Sequence, residues 1–419
     1  MKLLLFEWKK TLRSRTVRLA FVLSVLLFLW LALQQCGFIF ELQNREMLYV
    51  NFYKLPWYQS HISETYAQPY SEPYQKQLEQ ERERILARNQ TLTEEQLWTN
   101  GTGDYGLTPF QDRVMIANLY GQVYEYEHKL DSVAEIRESA ARTLSSDDAY
   151  LRQKSLMVVE ACDTLTAEAL VPYNEAAISK YLTKYCFAEG VLSPLFVCML
   201  FLALVCGSFF SSEREHGVYD MLYTTARGRG ALFCAKYLVG AGAAVVILLV
   251  EVLIGLGVFG IKYGGLQGLF TDFHTLTGVS VTSYQLTVLQ FLLLSLGLQL
   301  LWLWMTCAIA AMLSVVTNHS LIAFAGGALC GIGGVALTDW TIPVSLRDTL
   351  IASIVSTYNP AALTDARPYL CAVNTVRIGD APVPLLTIVL GVFAVALLAV
   401  VTISGLAYVK PRRRKKQWN

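Results

Sequence analysis

Apolar positions in this chain fall into six long runs separated by polar stretches. Leu19–Phe40 and Gly190–Phe210 hold no charged residue, and Tyr237–Ile261 holds only Glu251. From Phe273 to Thr338, 66 consecutive residues contain no Asp, Glu, Lys or Arg. The polar triplet Thr317-Asn318-His319 splits that stretch into runs at 285–313 and 320–338. The sixth run is Pro384–Val409. A bilayer's hydrocarbon core, about 30 Å thick, takes roughly 20 apolar residues as a helix. None of the runs alternates like a barrel strand, and unpaired backbone is not tolerated in lipid. The pattern therefore predicts six transmembrane helices, an all-α integral membrane protein.

Between the first two runs, 41–186 reads differently. The stretch from Gln75 to Arg88 predicts an exposed helix laced with opposite charges. From Arg113 to Leu144, Val114, Leu119, Val123, Tyr126, Leu130, Val133 and Ile136 recur at three- and four-residue steps, the helical period. A third helix is expected from Asp147 to Leu170, capped by Ser146 or Asp147. Gly101, Gly103, Gly106 and Pro109 mark a loop. The result is a large, mainly helical lobe, either a rigid spacer or a lid or receptor surface.

Charge gives these elements an orientation. Hydrophobic residues make up 54% of the chain and charged ones 16%, against about 25% charged in ordinary soluble domains. That balance excludes a freely soluble enzyme and a disordered tail. The net charge of +1 is a cancellation. Sixteen Lys and Arg lie before the first run, between the second and third, and after the last, against three in the alternate loops 263–284 and 339–383. The positive-inside rule then places both termini in the cytoplasm of a multi-pass plasma-membrane protein. The lobe, with 14 basic and 22 acidic residues, lies outside. The first run exceeds a signal peptide's core of about 7–15 apolar residues and lacks a cleavage site, so it is read as a retained span.

The expected organisation is an interfacial helix over 1–18, a first span over 19–40, the lobe over 41–186, five spans with a cytoplasmic loop at 211–236 inside 187–409, and a basic tail over 410–419. Trp8, Lys9, Lys10 and Arg13 at one end, and Arg412, Arg413 and Arg414 at the other, are placed at the membrane surface. Leu4, Leu5, Trp8 and Leu12 share one helical face.

Signatures of catalysis are missing: the chain has no phosphate-binding loop, zinc-protease motif or nucleophile elbow. The five His residues are isolated, which gives no metal-ligand spacing. The nine Cys residues are scattered; a disulfide among Cys162, Cys186 and Cys371 is left open. The glycine-rich 326–334 sits in a span, where small residues let helices approach.

The informative polar segment is 211–238. Glu213 and Glu215 flank Arg214, and Gly217 follows. Tyr219, Met221, Leu222 and Tyr223 form an apolar cluster on a short helix expected at 218–224. Arg227 and Arg229 come next, and Lys236 stands where the third span begins. This loop resembles the one after the second span in ABC-2 type permeases, whose pattern is approximately E-R-E-x-G-T-x-x-x-L-x-x-T-P-x-x-R with a closing Lys. Glu213, Arg214, Glu215, Gly217, Leu222, Thr225, Arg229 and Lys236 match, whereas Val218 and Ala226 depart from it. The resemblance implies a coupling helix that docks on a separate ATP-binding cassette subunit, with Tyr219, Met221, Leu222 and Tyr223 as its docking face. Glu213, Glu215, Arg227 and Arg229 would set its orientation. It also implies export, a second permease copy or homologue, and ATP and Mg bound by the partner, with no cofactor and no ATP hydrolysis in this chain. By that resemblance, 345–363 is a short helix at the outer face.

Glu251 is the one ionisable residue well inside a run, and such residues usually face a bundle interior or wet cavity. It lines a translocation path, to which Gln290 and Gln299 would add polar groups, or pairs with a cationic group, or is protonated and hydrogen-bonded to a neighbouring span through Gln299, Gln290 or Ser295. A membrane receptor that binds a ligand through the lobe is the competing function. Nucleic acid is not an expected partner.

Overall fold

The computed structural model describes residues 2–36, 71–99, 101–105, 108–165, 181–186, 193–215, 217, 228–262, 266, 268–273, 281–282, 284–317, 319–339 and 363–409. The expected coupling helix at 218–224, nearly all of 345–363 and the tail over 410–419 lie outside them. The described chain is mostly helical.

Helix α1 (Lys2–Arg13) and helix α2 (Arg15–Gln35) are separated by Ser14, which turns to extended backbone and accepts a hydrogen bond from the Val17 N–H. The first span thus begins at Arg15, four residues ahead of the uncharged run, because Arg15 and Arg18 are exposed and can reach polar surroundings.

The lobe helices are α3 (Glu72–Gln90), α4 (Glu94–Trp98), α5 (Pro109–Thr143) and α6 (Ala149–Asp163). Each start is explained by a cap: Ser71 for α3, a Thr93–Gln96 capping box for α4, Thr108 followed by Pro109 for α5, and Asp148 for α6. The third lobe helix is shorter than its pattern predicts. Its cap is Asp148, which accepts from the Tyr150 N–H at 2.9 Å, rather than Ser146 or Asp147. Tyr74, Leu78 and Ile85 of α3 recur on one face and pack on Ile116, Leu119 and Val123 of α5. A second small core joins Val133, Val158, Ala161 and Cys162 to Val281 and Ala372, which fixes the lobe to segments flanking the later apolar helices.

The apolar bundle follows a π-helical turn at Leu182–Cys186. It comprises α7 (Pro194–Gly207), a short α8 (Ser211–Glu215), α9 (Gly228–Lys262), α10 (Val288–Thr317), α11 (Ser320–Asp339) and, after a small α12 (Arg367–Leu370), α13 (Leu385–Val409). Among the described residues, five helical stretches are long and apolar enough to cross a membrane: Arg15–Gln35, Pro194–Glu215, Arg229–Lys262, Val288–Thr317 and Leu385–Val409. Within α11, Ser320–Ile332 forms a shorter apolar helix. Helix α7 is the hub, with nearly every side chain buried, whereas α2 and α13 leave most of their apolar surface open, as helices at a lipid boundary do. Gly327 lets α11 approach closely: a Cβ there would lie 3.0 Å from Ala310 of α10 and 3.4 Å from Ala203 of α7.

One element departs from an all-helical chain. Strands β1 (Thr375–Ile378) and β2 (Ala381–Pro384) form an antiparallel hairpin ahead of α13. Its Gly379 has φ +64°, the left-handed backbone that a two-residue turn needs. Arg377 reaches Asp148 of the lobe at 2.7 Å, and Tyr150 lies 3.2 Å from the Thr375 hydroxyl. All nine cysteines are free, so Cys162, Cys186 and Cys371 are not bridged.

Candidate functional site

The polar groups that the sequence singles out fall into two places. The first is the end of the bundle nearest α1. There α7 stops at Gly207, and the turn after it is pinned to α10: the Phe210 and Ser211 N–H groups both donate to the Ser314 hydroxyl, at 3.0 and 2.9 Å. Helix α8 then carries the acidic pair. Glu213 is 4% exposed and accepts from Lys236 of α9 at 2.6 Å and from Lys10 of α1 at 2.9 Å. Lys236 is 1% exposed; it also donates to the Phe209 carbonyl and lies 4.9 Å over the Phe210 ring. Arg214 donates to the Val315 carbonyl of α10 at 2.6 Å. Glu215 accepts from the Ser320 N–H at 2.8 Å and from its hydroxyl, at the start of α11. Residues 210–215 are therefore bonded to α1, α9, α10 and α11 at once.

This geometry changes the reading of several residues. Glu213 faces inward between two lysines instead of outward toward a partner, since a carboxylate with two ammonium groups in reach is held where both can be met. Lys10, expected at lipid headgroups, turns toward Glu213, whereas Lys9 and Arg13 stay exposed. Trp8 and Leu4 pack on the bundle, Trp8 over Gly242 of α9, and Leu5 and Leu12 remain exposed. Gly217 has φ +70°, a conformation that disfavours other residues, which accounts for glycine there. Arg229 opens α9 and is half-buried. Tyr219, Met221, Leu222, Tyr223, Arg227 and Arg412–Arg414 lie outside the described residues. Sequence reasoning missed Glu7, which is buried with its carboxylate 4.0 Å from Lys10. Its three-residue spacing from Lys10 was the available signal.

The second place is the C-terminal half of α9. Glu251 is 4% exposed, and among the described residues nothing hydrogen-bonds its carboxylate; Tyr185 donates instead to its backbone carbonyl, at 3.5 Å. Tyr181 and Tyr185, both fully buried, press onto Gly255 and Phe259 one and two turns further along. The three partners considered for Glu251 are engaged elsewhere or idle. Gln299 donates to the Cys186 carbonyl at 3.2 Å and to the Thr364 carbonyl at 3.3 Å, tying the returning segment to the stretch before α12. Gln290 is exposed and caps α10 through a reciprocal pair with Thr287, which places it in the first turn of the helix. Ser295 is buried with its hydroxyl unpaired among the described residues.

A family profile described as "ABC-2 family transporter protein" matches residues 1–409. No curated protein matches the chain.

Proposed function

From the premise that the chain belongs to the ABC-2 family of transporter proteins, membrane permeases that associate with an ATP-binding subunit, we propose that it is the permease subunit of an ATP-driven exporter whose 211–236 loop receives the stroke of that subunit. It works as one of two permease copies or homologues, each with six spans, both termini in the cytoplasm and the lobe outside. ATP and Mg are held by the partner. Alternating access around Glu251 and Gln299 moves the substrate outward.

The observation that carries this reading is the bonding of residues 210–215 to four helices. A loop tied to one helix would absorb a push by bending. One that grips α1 and α9 through Glu213, α10 through Arg214 and Ser314, and α11 through Glu215 passes the displacement to the bundle. The apolar residues Tyr219, Met221, Leu222 and Tyr223, which follow directly, suit docking by burial of apolar surface. The test is co-purification of the tagged chain with an ATP-binding cassette subunit encoded beside it. Leu222→Asp/Tyr223→Asp should abolish that association while leaving the permease in the membrane. Retained association would defeat the assignment.

A further inference from the structure

Beside the ion cluster lies a cavity of about 620 Å³ between α1, the first turn of α2, the end of α7, α8 and the start of α11. The polar lining includes Glu7, Lys10, Glu215 and the hydroxyls of Ser14 and Ser212. The apolar lining includes Val17, Leu204, Leu321 and Phe324. The polar lining comes from α1, from Ser14, where the chain passes into its first span, and from α8; the apolar lining comes from the first turns of α2 and α11 and from the end of α7. Leu321 is 76% exposed. A polar cup that opens onto an apolar strip at the end of membrane helices fits an amphiphile taken from the bilayer.

The charges specify its head. Glu7 is 6% exposed and lines the cavity, yet among the described residues its carboxylate accepts no hydrogen bond: Lys10 stands 4.0 Å away, too far for one, and Lys236 acts on it only through space. Lys10 already gives a hydrogen bond to Glu213 at 2.9 Å. A buried carboxylate without a donor is costly, so the cavity calls for a cation that carries N–H groups next to Glu7. Two carboxylates against one ammonium leave the lining acidic, which disfavours an anionic headgroup. The hydroxyls and the remaining ammonium protons of Lys10 suit a phosphate a few ångströms away.

We propose that this cavity binds a phospholipid with a primary-amine headgroup, drawn from the leaflet on the N-terminal side. The ammonium meets Glu7, the phosphate meets Lys10 and the hydroxyls, and the acyl chains run along Leu321 and Phe324. Such a lipid would fill the space between α1, α8 and α11 and so bear on how firmly 210–215 is held.

The test uses the full-length protein in micelles, titrated with phosphatidylethanolamine, phosphatidylcholine or phosphatidylglycerol and read by native mass spectrometry. Phosphatidylcholine keeps the positive charge but has no N–H to donate. Wild-type protein should retain phosphatidylethanolamine about tenfold over each of the others, the ratio expected from one charge-assisted hydrogen bond worth about 1.4 kcal/mol. Glu7→Gln should bring the ratio to about one. Equal retention of the three lipids by wild-type protein overturns the proposal without recourse to a variant. So does a preference for phosphatidylglycerol, or a crosslink between two copies through Leu321→Cys that displaces phosphatidylethanolamine.

Discussion

Neutralising Glu213 should destabilise this protein far more than removing Lys10, the exposed end of its network. In Glu213→Gln, Lys236 keeps a neutral acceptor but loses its counter-charge while remaining 1% exposed. The Phe209 carbonyl, the Phe210 ring and the more distant Glu7 carboxylate are left to offset the ammonium. The second oxygen of Glu213 has no partner among the described residues, so the new amide NH₂ gains no acceptor. Stranding one member of a buried ion pair costs about 3–5 kcal/mol. Lys10 is different: its side chain is 45% exposed, and a pair of that kind contributes about 0–1 kcal/mol. The expected order of stability is wild type, closely followed by Lys10→Ala, then Glu213→Gln well below both. Glu213→Gln/Lys236→Met should recover most of the loss, because removing both charges of a buried pair is often near neutral. Heating the purified chain in micelles and measuring the surviving monodisperse fraction by size exclusion gives the order. At roughly 2–4 °C per kcal/mol for a domain of moderate size, Glu213→Gln should fall by at least about 5 °C. The reasoning is refuted if Glu213→Gln melts with Lys10→Ala, or if the double variant is less stable than Glu213→Gln.

Two further outcomes test packing and protonation. Gly255 and Gly257 stand on the same helix, but a Cβ at Gly255 would lie 2.3 Å from the buried Tyr185 ring, whereas nothing lies within 4 Å at Gly257. Gly255→Ala should therefore lower thermal stability by about 1–2 kcal/mol despite better helix propensity, and Gly257→Ala should raise it by up to about 1 kcal/mol; the same sign for both would contradict the packing. In the lobe, burial pushes the Asp112 carboxyl up to about 6, only partly opposed by its backbone hydrogen bond and by Arg88 and Arg84. A folded value above the unfolded one of about 3.9 means that Asp112's contribution is fully present below pH 4 and is lost as pH rises through 6. Hydrogen exchange in 109–143 of the full chain, corrected for intrinsic rate, should show more protection at pH 5 than at pH 7, by at most about 1.3 kcal/mol. Asp112→Asn should remove that difference.

The parts of this fold that can be read from the chain are those where one physical demand outweighs the rest. A helix in lipid must be long and apolar, so the runs located the apolar helices, although α9 opens at Gly228, nine residues ahead of the run that begins at Tyr237. The offsets have local causes: α10 starts at Val288 rather than 285 because Thr287 and Gln290 form a capping box. That T-x-x-Q signature is visible in the sequence and would have moved Gln290 from the path to the cap. Asp147 and Asp148 are chemically equivalent caps one residue apart, and the choice between them depends on Arg377, 229 positions away, which bonds Asp148. The hairpin's Gly-Asp turn was legible, but Pro382 and Pro384 argue against a strand. They are tolerated because a two-stranded sheet has only edges.

The candidate site was legible in its residues and not in its direction. Glu213, Arg214, Glu215 and Lys236 stand out by spacing, yet nothing within 211–236 says which of them face a partner and which face the protein itself. That depends on Lys10, more than 200 positions away, arriving beside Glu213. A carboxylate that meets two lysines is worth more inside the protein than on its surface, provided both lysines arrive together, and Lys236 is affordable as a buried cation only because Glu213 is there. The two burials are thus mutually conditional, and α1 is drawn to the bundle by the same charge that offsets the Lys236 ammonium. Glu251 has no such counterpart among the described residues. Unlike Glu213, its position is not explained by an ion pair among the described residues, and that is the physical reason to keep it on the proposed translocation path while Glu213 moves into the scaffold.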